Sequence, residues 1–396
     1  MLPSLTVILA ALALTMAGAT GALALEIKSA VLRISYPELL PISRLDLKPD
    51  DLGFVGAALA DEDNQTTGSF LGMEFSTQTY PATPETFDAE LQKILDDGVK
   101  LIVVIANAED TLRIADTAGP EVLLLNAGAR ETSLRDDMCR ANILHVTPSY
   151  NMLADAVVQF AIWKQWREVF LVHGSNPKDL AMRDAYTRAI TKFGGEVVEQ
   201  RVFEDTGGAR RTDTGHVLVQ RQIPVFTQNA PDHDVVIAAD ASDVFGPYLS
   251  YHSWTPRPVM GAGGLRPVSL HASHEAWGAT QFQRRFEALS GRYVQEEDYD
   301  VWLAIRTIGE AVTRTNSADP AVLREYILGD EFELAAFKGR KVNFRKWNGQ
   351  LRAPVLLTDG RLTVSVSPQE GYLHQRSTLD TIGLDEPEST CTAFDD

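Results

Sequence analysis

Near-continuous apolar runs of strand length alternate with amphipathic helical stretches, and no other feature of this chain restricts its fold as strongly. Lys100–Ala106 (KLIVVIA) and Glu121–Leu125 (EVLLL) are too uniformly apolar for half-solvated strands and suit parallel strands covered on both faces. Ala30–Ser35 and Met73–Thr79 read as further strands. Asp50–Glu62, Pro84–Asp97 and Glu109–Ala118 carry apolar residues at helical spacing; the second puts Phe87, Leu91, Ile94 and Leu95 on one face. Strands and helices in this order predict βαβ units around a parallel sheet.

The pattern repeats after Pro148. Met152–Trp166 reads as a helix, Val169–His173 as a strand, Lys178–Phe193 as a helix stopped by Gly194-Gly195, and Glu196–Phe203 as a strand. Ile223–Val225, Val235–Ala238 and Val259–Gly261 are short strand candidates. Two helices follow, Trp277–Ser290 and Tyr299–Thr313, then strands within 344–366 around the hairpin signals Asn348-Gly349 and Asp359-Gly360. The fold class expected is α/β, with two Rossmann-like lobes of parallel strands joined by a multi-strand hinge. The expected division is 25–147 plus 272–350 for the first lobe and 148–271 plus 351–384 for the second. Residues 385–396 form an acidic, aperiodic tail. Ligands of such sheets sit at the strands' carboxyl ends, so two facing sheets make a cleft there.

Residues 1–25 hold no charged side chain, and an apolar run from about Leu5 to Met16 leads to Ala22-Leu23-Ala24. That predicts a signal peptide, 1–24, cleaved near Ala24. The run is too short to span a membrane, and no later stretch predicts a span in the mature chain. The net charge of −18 opposes binding to nucleic acid or anionic lipid. Cys139 and Cys391, the only cysteines, read as one disulfide tethering the tail in an oxidising compartment, the alternative being two unrelated thiols.

Motifs for chemistry are missing. There is no G-x-S-x-G elbow, P-loop, H-E-x-x-H or EF-hand loop. Gly261-Ala262-Gly263-Gly264 does not continue as a dinucleotide fingerprint. His252, His271 and His274 lack metal-ligand spacing, and Asp232, Asp234, Asp240 and Asp243 around one strand are explained equally by strand-end solvation. No nucleophile–base pair argues for an enzyme, and no metal is expected.

Four segments, Phe87–Ala106 (FDAELQKILDDGVKLIVVIA), Asp184–Val197 (DAYTRAITKFGGEV), Asp298–Val312 (DYDVWLAIRTIGEAV) and Phe344–Leu351 (FRKWNGQL), resemble the type I periplasmic solute-binding proteins of ABC transporters, the Leu/Ile/Val- and amide-binding superfamily. The resemblance implies a periplasmic receptor with an ABC permease as partner. Members that bind amino acids place Ser and Thr after the third and fourth strands. Here those loops read Ala106-Asn107-Ala108 and Asn126-Ala127-Gly128-Ala129. Cys139–Ser149 (CRANILHVTPS), Trp163–Trp166 (WKQW), Asp298–Arg306 (DYDVWLAIR) and Leu384–Cys391 (LDEPESTC) resemble a branch associated with alcohol dehydrogenases dependent on pyrroloquinoline quinone (PQQ). That implies PQQ as a bound ligand rather than a catalytic cofactor. An amino acid, amide or small organic acid, or a ligand-free docking role on the dehydrogenase, are the alternatives.

PQQ is a flat tricarboxylate with an electrophilic quinone carbonyl. It calls for guanidinium forks, aromatic or apolar faces, helix N-termini and an amine. Loops after predicted strands supply the candidates: Tyr36 and Glu38, Asn107, Asn126 and Arg130, Ser149 and Tyr150, Lys178, Asp240 and Trp254. Tyr299 and Trp302 start the returning helix, and their spacing places one of the two in the core. Arg130 and Lys178 also fit as plain solvated charges.

Overall fold

The computed structural model describes residues 24–38, 41–43, 46–204 and 219–395. The expected leader lies outside them up to Leu23. Strands β1 (Leu25–Ile34), β2 (Met73–Ala82), β3 (Leu101–Ile105), β4 (Leu123–Asn126) and β5 (Ile143–His145) form one parallel sheet in the order β2-β1-β3-β4-β5. Helices α1 (Phe54–Leu71), α2 (Phe87–Asp96) and α3 (Ala108–Ala118) join its strands. The sheet is covered on both faces, as the apolar runs require. Ala30, Leu32 and Val104 pack with Phe87, Leu91 and Ile114 of α2 and α3. Val31 and Val103 pack with Leu59 of α1 and with the later helices.

The second sheet is also parallel. It contains β6 (Glu168–Gly174), β7 (Glu196–Phe203), β8 (Val235–Ala239) and β9 (Val259–Gly261), in the order β7-β6-β8-β9. Helices α4 (Tyr150–Trp163) and α5 (Pro177–Lys192) cover one face. Helices α6 (Val219–Thr227) and α7 (Gly246–His252) cover the other. Here the structure corrects the sequence reading: Ile223–Val225 is helical, not a strand. A three-residue apolar run cannot show its period. Val219, Ile223 and Phe226 share the face that packs near Phe203 and Phe245, and that spacing is helical.

The chain then returns to the first sheet through β10 (Arg266–Val268), α8 (Ala279–Ser290), α9 (Glu296–Thr315) and α10 (Pro320–Leu328). Two short hairpins close the fold. Strands β11 (Leu334–Ala335), β12 (Lys341–Phe344) and β13 (Leu351–Arg352) pair in sequence order; β14 (Val355–Thr358) and β15 (Thr363–Ser367) join β10 in an antiparallel sheet. Asn348-Gly349 and Asp359-Gly360 lie in the two turns, as expected. The structure is α/β with parallel sheets in two lobes, as the sequence predicts.

Two glycines fix where α9 begins. A Cβ on Gly56 of α1 would lie 2.0 Å from the Asp298 carbonyl oxygen, and one on Gly309 would lie 2.0 Å from Asn64 Oδ1. Only glycine permits that approach. The Asp298 carboxylate accepts from Gly53 N at 2.7 Å and from Gln295 N at 3.0 Å, and it pairs with Arg292 at 2.7 Å. The first turn of α9 is thereby held against the sheet's carboxyl edge.

Candidate functional site

Both sheets turn their carboxyl ends toward the segments that connect the lobes, and most of the sequence-predicted residues fall there. Asn107 caps α3, its Oδ1 accepting from Asp110 N at 2.8 Å. Tyr36 donates to Asp110 Oδ2 at 2.6 Å and accepts from Asn107 N at 3.2 Å, so its hydroxyl is spent on that cap. Glu38 is exposed and pairs with Lys48 at 2.8 Å. Ser149 caps α4, accepting from Met152 N.

Several candidates are structural. Asn126 is completely buried: Oδ1 accepts from Gly128 N and Ala129 N, and Nδ2 donates to Ala129 O. The loop is tight enough that a Cβ on Gly128 would meet Ala106 N at 2.8 Å. Asn126 therefore shapes the loop that projects Arg130 and offers nothing to a ligand. Asp240 is buried and accepts from the amides of Val244, Phe245 and Gly246 at 2.7–2.9 Å, opening α7. Burial pushes its carboxyl up to about 6, against those three donors. Tyr299 and Trp302 are both core, correcting the expectation of a cleft-facing aromatic. They stack on each other beside Phe282, the Tyr299 hydroxyl donating to Ala336 O and the indole to Asp63. Trp254 is exposed but lies between α7 and the start of β9, held by Thr227 at the end of α6. That is the amino edge of the sheet, away from the cleft.

Arg130, Tyr150 and Lys178 remain at the cleft. Lys178 is exposed on the first turn of α5, which Asn176, Pro177 and Asp179 cap at the carboxyl end of β6. Tyr150 is largely buried, its amide donating to Arg130 O at 2.8 Å. Burial pushes its phenol up, and Glu131 adds to this. Arg130 pairs with Glu296 at 3.0 Å, each side chain about a quarter exposed. Burial opposes its charge, but Glu296 with Asp300 and Glu297 outweighs that, and its pKa is raised.

Sequence reasoning missed the residues gathered around this pair. Glu296 Oε2 also accepts from Ser269 N at 2.7 Å. Glu131 Oε2, Thr147 Oγ1, Ser269 Oγ and both Asp300 carboxyl oxygens are buried without a hydrogen bond of normal geometry, although Thr147 and Asp300 are neighbours. Lys338 Nζ donates to Pro354 O at 3.0 Å and lies over the Tyr299 ring. Burial pushes Asp300 up and Lys338 down, each partly restored by the other. Thr147, Ser269 and Pro354 belong to the segments that cross between lobes, so the cluster forms the floor of the cleft. Ile42 N donates to Asp243 Oδ2 at 3.2 Å across the cleft's mouth. A groove of about 700 Å³ lies elsewhere, along α3 beside Met138 and Arg140. Among the described residues no group of three or more His, Cys, Asp or Glu is placed to hold a metal ion. No described helix is long and apolar enough to cross a membrane.

Residues 55–243 match the family model for periplasmic binding proteins. No curated protein matches the chain. Among solved structures it is similar to an ABC transporter substrate-binding protein from Sphaerobacter thermophilus (18% identity, 87% of this chain and 98% of that one, TM-score 0.68). A branched-chain amino acid ABC transporter periplasmic ligand-binding protein from Burkholderia xenovorans is comparable (17%, 87% and 92%, 0.66). So is an ABC transporter substrate-binding protein from Desulfitobacterium hafniense in complex with Leu (16%, 85% and 98%, 0.64). At these identities the likeness shows the fold, that of type I periplasmic binding proteins.

Proposed function

We propose that this chain is a solute-binding protein of the type I periplasmic binding protein family, exported to the periplasm, where it serves an ABC transporter by holding one small polar molecule between its lobes. The cleft floor carries this reading: the Arg130–Glu296 pair is ringed by buried oxygens of Glu131, Thr147, Ser269 and Asp300 that have no ordinary hydrogen bond beyond the contact of Thr147 with Asp300. A buried polar group left unpaired costs about 1–3 kcal/mol, which a ligand bearing N–H donors recovers. Glu131 and Asp300 offer buried acceptor oxygens without an ordinary donor, so the floor favours an ammonium or amide nitrogen, with Arg130 available to a carboxylate. An amino acid or amide meets both demands. The Thr147 and Ser269 hydroxyls lie on crossing segments and supply what the loops after β3 and β4 lack. The solved relative carrying Leu supports the same class.

PQQ is the second reading. It is favoured by the exposed amine of Lys178 on the first turn of α5 and by the tethered tail that the PQQ-associated branch also implies. Calorimetric titration of the purified protein with L-amino acids, small amides and PQQ separates the two. We expect one amino acid or amide to bind with Kd below about 10 µM, roughly −7 kcal/mol, and at least tenfold more weakly to Arg130→Met. Saturable PQQ binding alone, weakened by Lys178→Ala, establishes the second reading instead. No saturable binding of either class below about 100 µM overturns both.

A further inference from the structure

Three segments cross between the lobes: 146–149 from β5 into α4, the stretch around β10 into α8, and Ala353–Pro354 from β13 into β14. After β15 the chain runs along the second lobe, although residues 378–382 are also held by Arg340, Arg345 and Arg352 from the segment around β12 and β13. Gln369 N donates to Gln159 of α4, Tyr372 packs edge-on against Phe193, and Gly383 N donates to the fully buried Asp155 carboxylate at 2.8 Å. Arg188 and Lys192 of α5 hold Asp155 and then Glu388, at 2.9 and 3.5 Å from the latter.

Two residues later the chain is on the first lobe. Thr390 N and Oγ1 both donate to Asp136 Oδ1, at 2.6 and 2.8 Å. Cys391 is bonded to Cys139 across 252 residues of sequence. Phe394 packs against the first lobe's core under Arg324. We propose that residues 385–395 are a fourth crossing, a covalently closed strap that limits how far the lobes can separate. While the Glu388 ion pairs hold, the limit is geometric: three residues from Glu388 to Cys391 span at most about 11 Å when extended, which keeps the α5 anchor within that distance of Cys391. The other three crossings run through the cleft floor. The strap lies to one side of them, at α5, where opening about the floor would separate the lobes. This holds whatever the ligand is.

Lengthening the strap tests the idea without touching its chemistry. One variant inserts eight Gly/Ser residues between Glu388 and Ser389 and keeps the disulfide; a second is C139S/C391S. Small-angle X-ray scattering and amide hydrogen exchange are read on the ligand-free proteins. Both variants should show a larger radius of gyration, and exchange at Val146, Thr147, Ala353 and Val355 faster by about tenfold, as local opening becomes less costly. Wild-type behaviour in the insertion variant, its disulfide intact, overturns the strap, because a bond that only stabilises the fold is indifferent to tether length. Should C139S/C391S fail to fold, the insertion variant decides alone.

Discussion

The seat of α9 on α1 positions Glu296 and Asp300, so its two glycine contacts deserve a quantitative test. Gly309→Ala would bring a methyl to 2.0 Å from Asn64 Oδ1, where the amide is buried and cannot yield freely. Its Nδ2 donates to Ile305 O at 3.0 Å, and its Oδ1 accepts from Arg306. Displacing it forfeits a neutral bond of about 1 kcal/mol and a charged one of about 1.5–3, offset by about 1 kcal/mol of helix propensity gained over glycine. The net expectation is a loss of about 2–3 kcal/mol in urea unfolding followed by tryptophan fluorescence. In an Asn64→Ala background those bonds are already gone and the space is free. There Gly309→Ala should be neutral or stabilising, giving a coupling energy of about 2–4 kcal/mol. Gly56→Ala differs, because its obstacle is the Asp298 carbonyl, which no rotamer change relieves. It should cost about 1–3 kcal/mol or more, with no rescue by Asn64→Ala. Equal costs for Gly309→Ala in the two backgrounds would refute the account of the packing.

Three further outcomes follow from buried polar groups and the cross-link. Asp240 has its carboxyl raised to about 6 by burial, above an unfolded value near 4, so its stabilising contribution is present below about pH 4 and lost as pH rises through 6. The stability difference between wild type and Asp240→Asn should accordingly fall by about 3 kcal/mol from pH 4 to pH 7 in chemical denaturation; a pH-independent difference sinks this assignment. Arg345 and Asp380 form a nearly solvent-free pair, the arginine also donating to the carbonyls of Leu379 and Ile382. Arg345→Met should cost about 3–5 kcal/mol, since the Asp380 charge stays buried with Arg352 as its remaining partner; a loss below about 1 kcal/mol in the same assay contradicts it. Removing the Cys139–Cys391 bond should lower stability by about 2–5 kcal/mol, the range typical for loss of a native disulfide, and an unchanged melting profile would show that the unfolded chain gains no freedom.

The architecture was legible because the physics that built it is written in periods. KLIVVIA and EVLLL became β3 and β4 of a sheet buried on both faces, and the two Asn-Gly and Asp-Gly turns became hairpins. The misreading at Ile223–Val225 came where the apolar run was shorter than either period. The helix Pro320–Leu328 was overlooked although its start is marked, Asp319 capping it and Pro320 filling its first position. Those signals are local and could have been used.

The site was less legible, for a reason that lies in topology. Strand-end position located Arg130, Tyr150 and Lys178, but it also selected Asn126 and Asp240. Their side chains face inward because a tight loop and a helix start there have unpaired amides to satisfy. A polar residue at a strand's carboxyl end has two employments, binding a ligand or capping the next element, and one sequence does not distinguish them. The floor residues carry no such marker at all. Thr147, Ser269, Asp300 and Lys338 are separated by up to 191 positions and meet only because three crossings converge under the cleft. What does mark Glu131, Thr147, Ser269 and Asp300 is energetic: their side-chain oxygens are buried without an ordinary hydrogen bond, whereas the buried carboxylates of Asp155, Asp179, Asp240, Asp298 and Asp380 all have partners. Oxygens that fold stability alone would have paired or replaced are held there at a cost, and that cost points to a ligand as their missing partner.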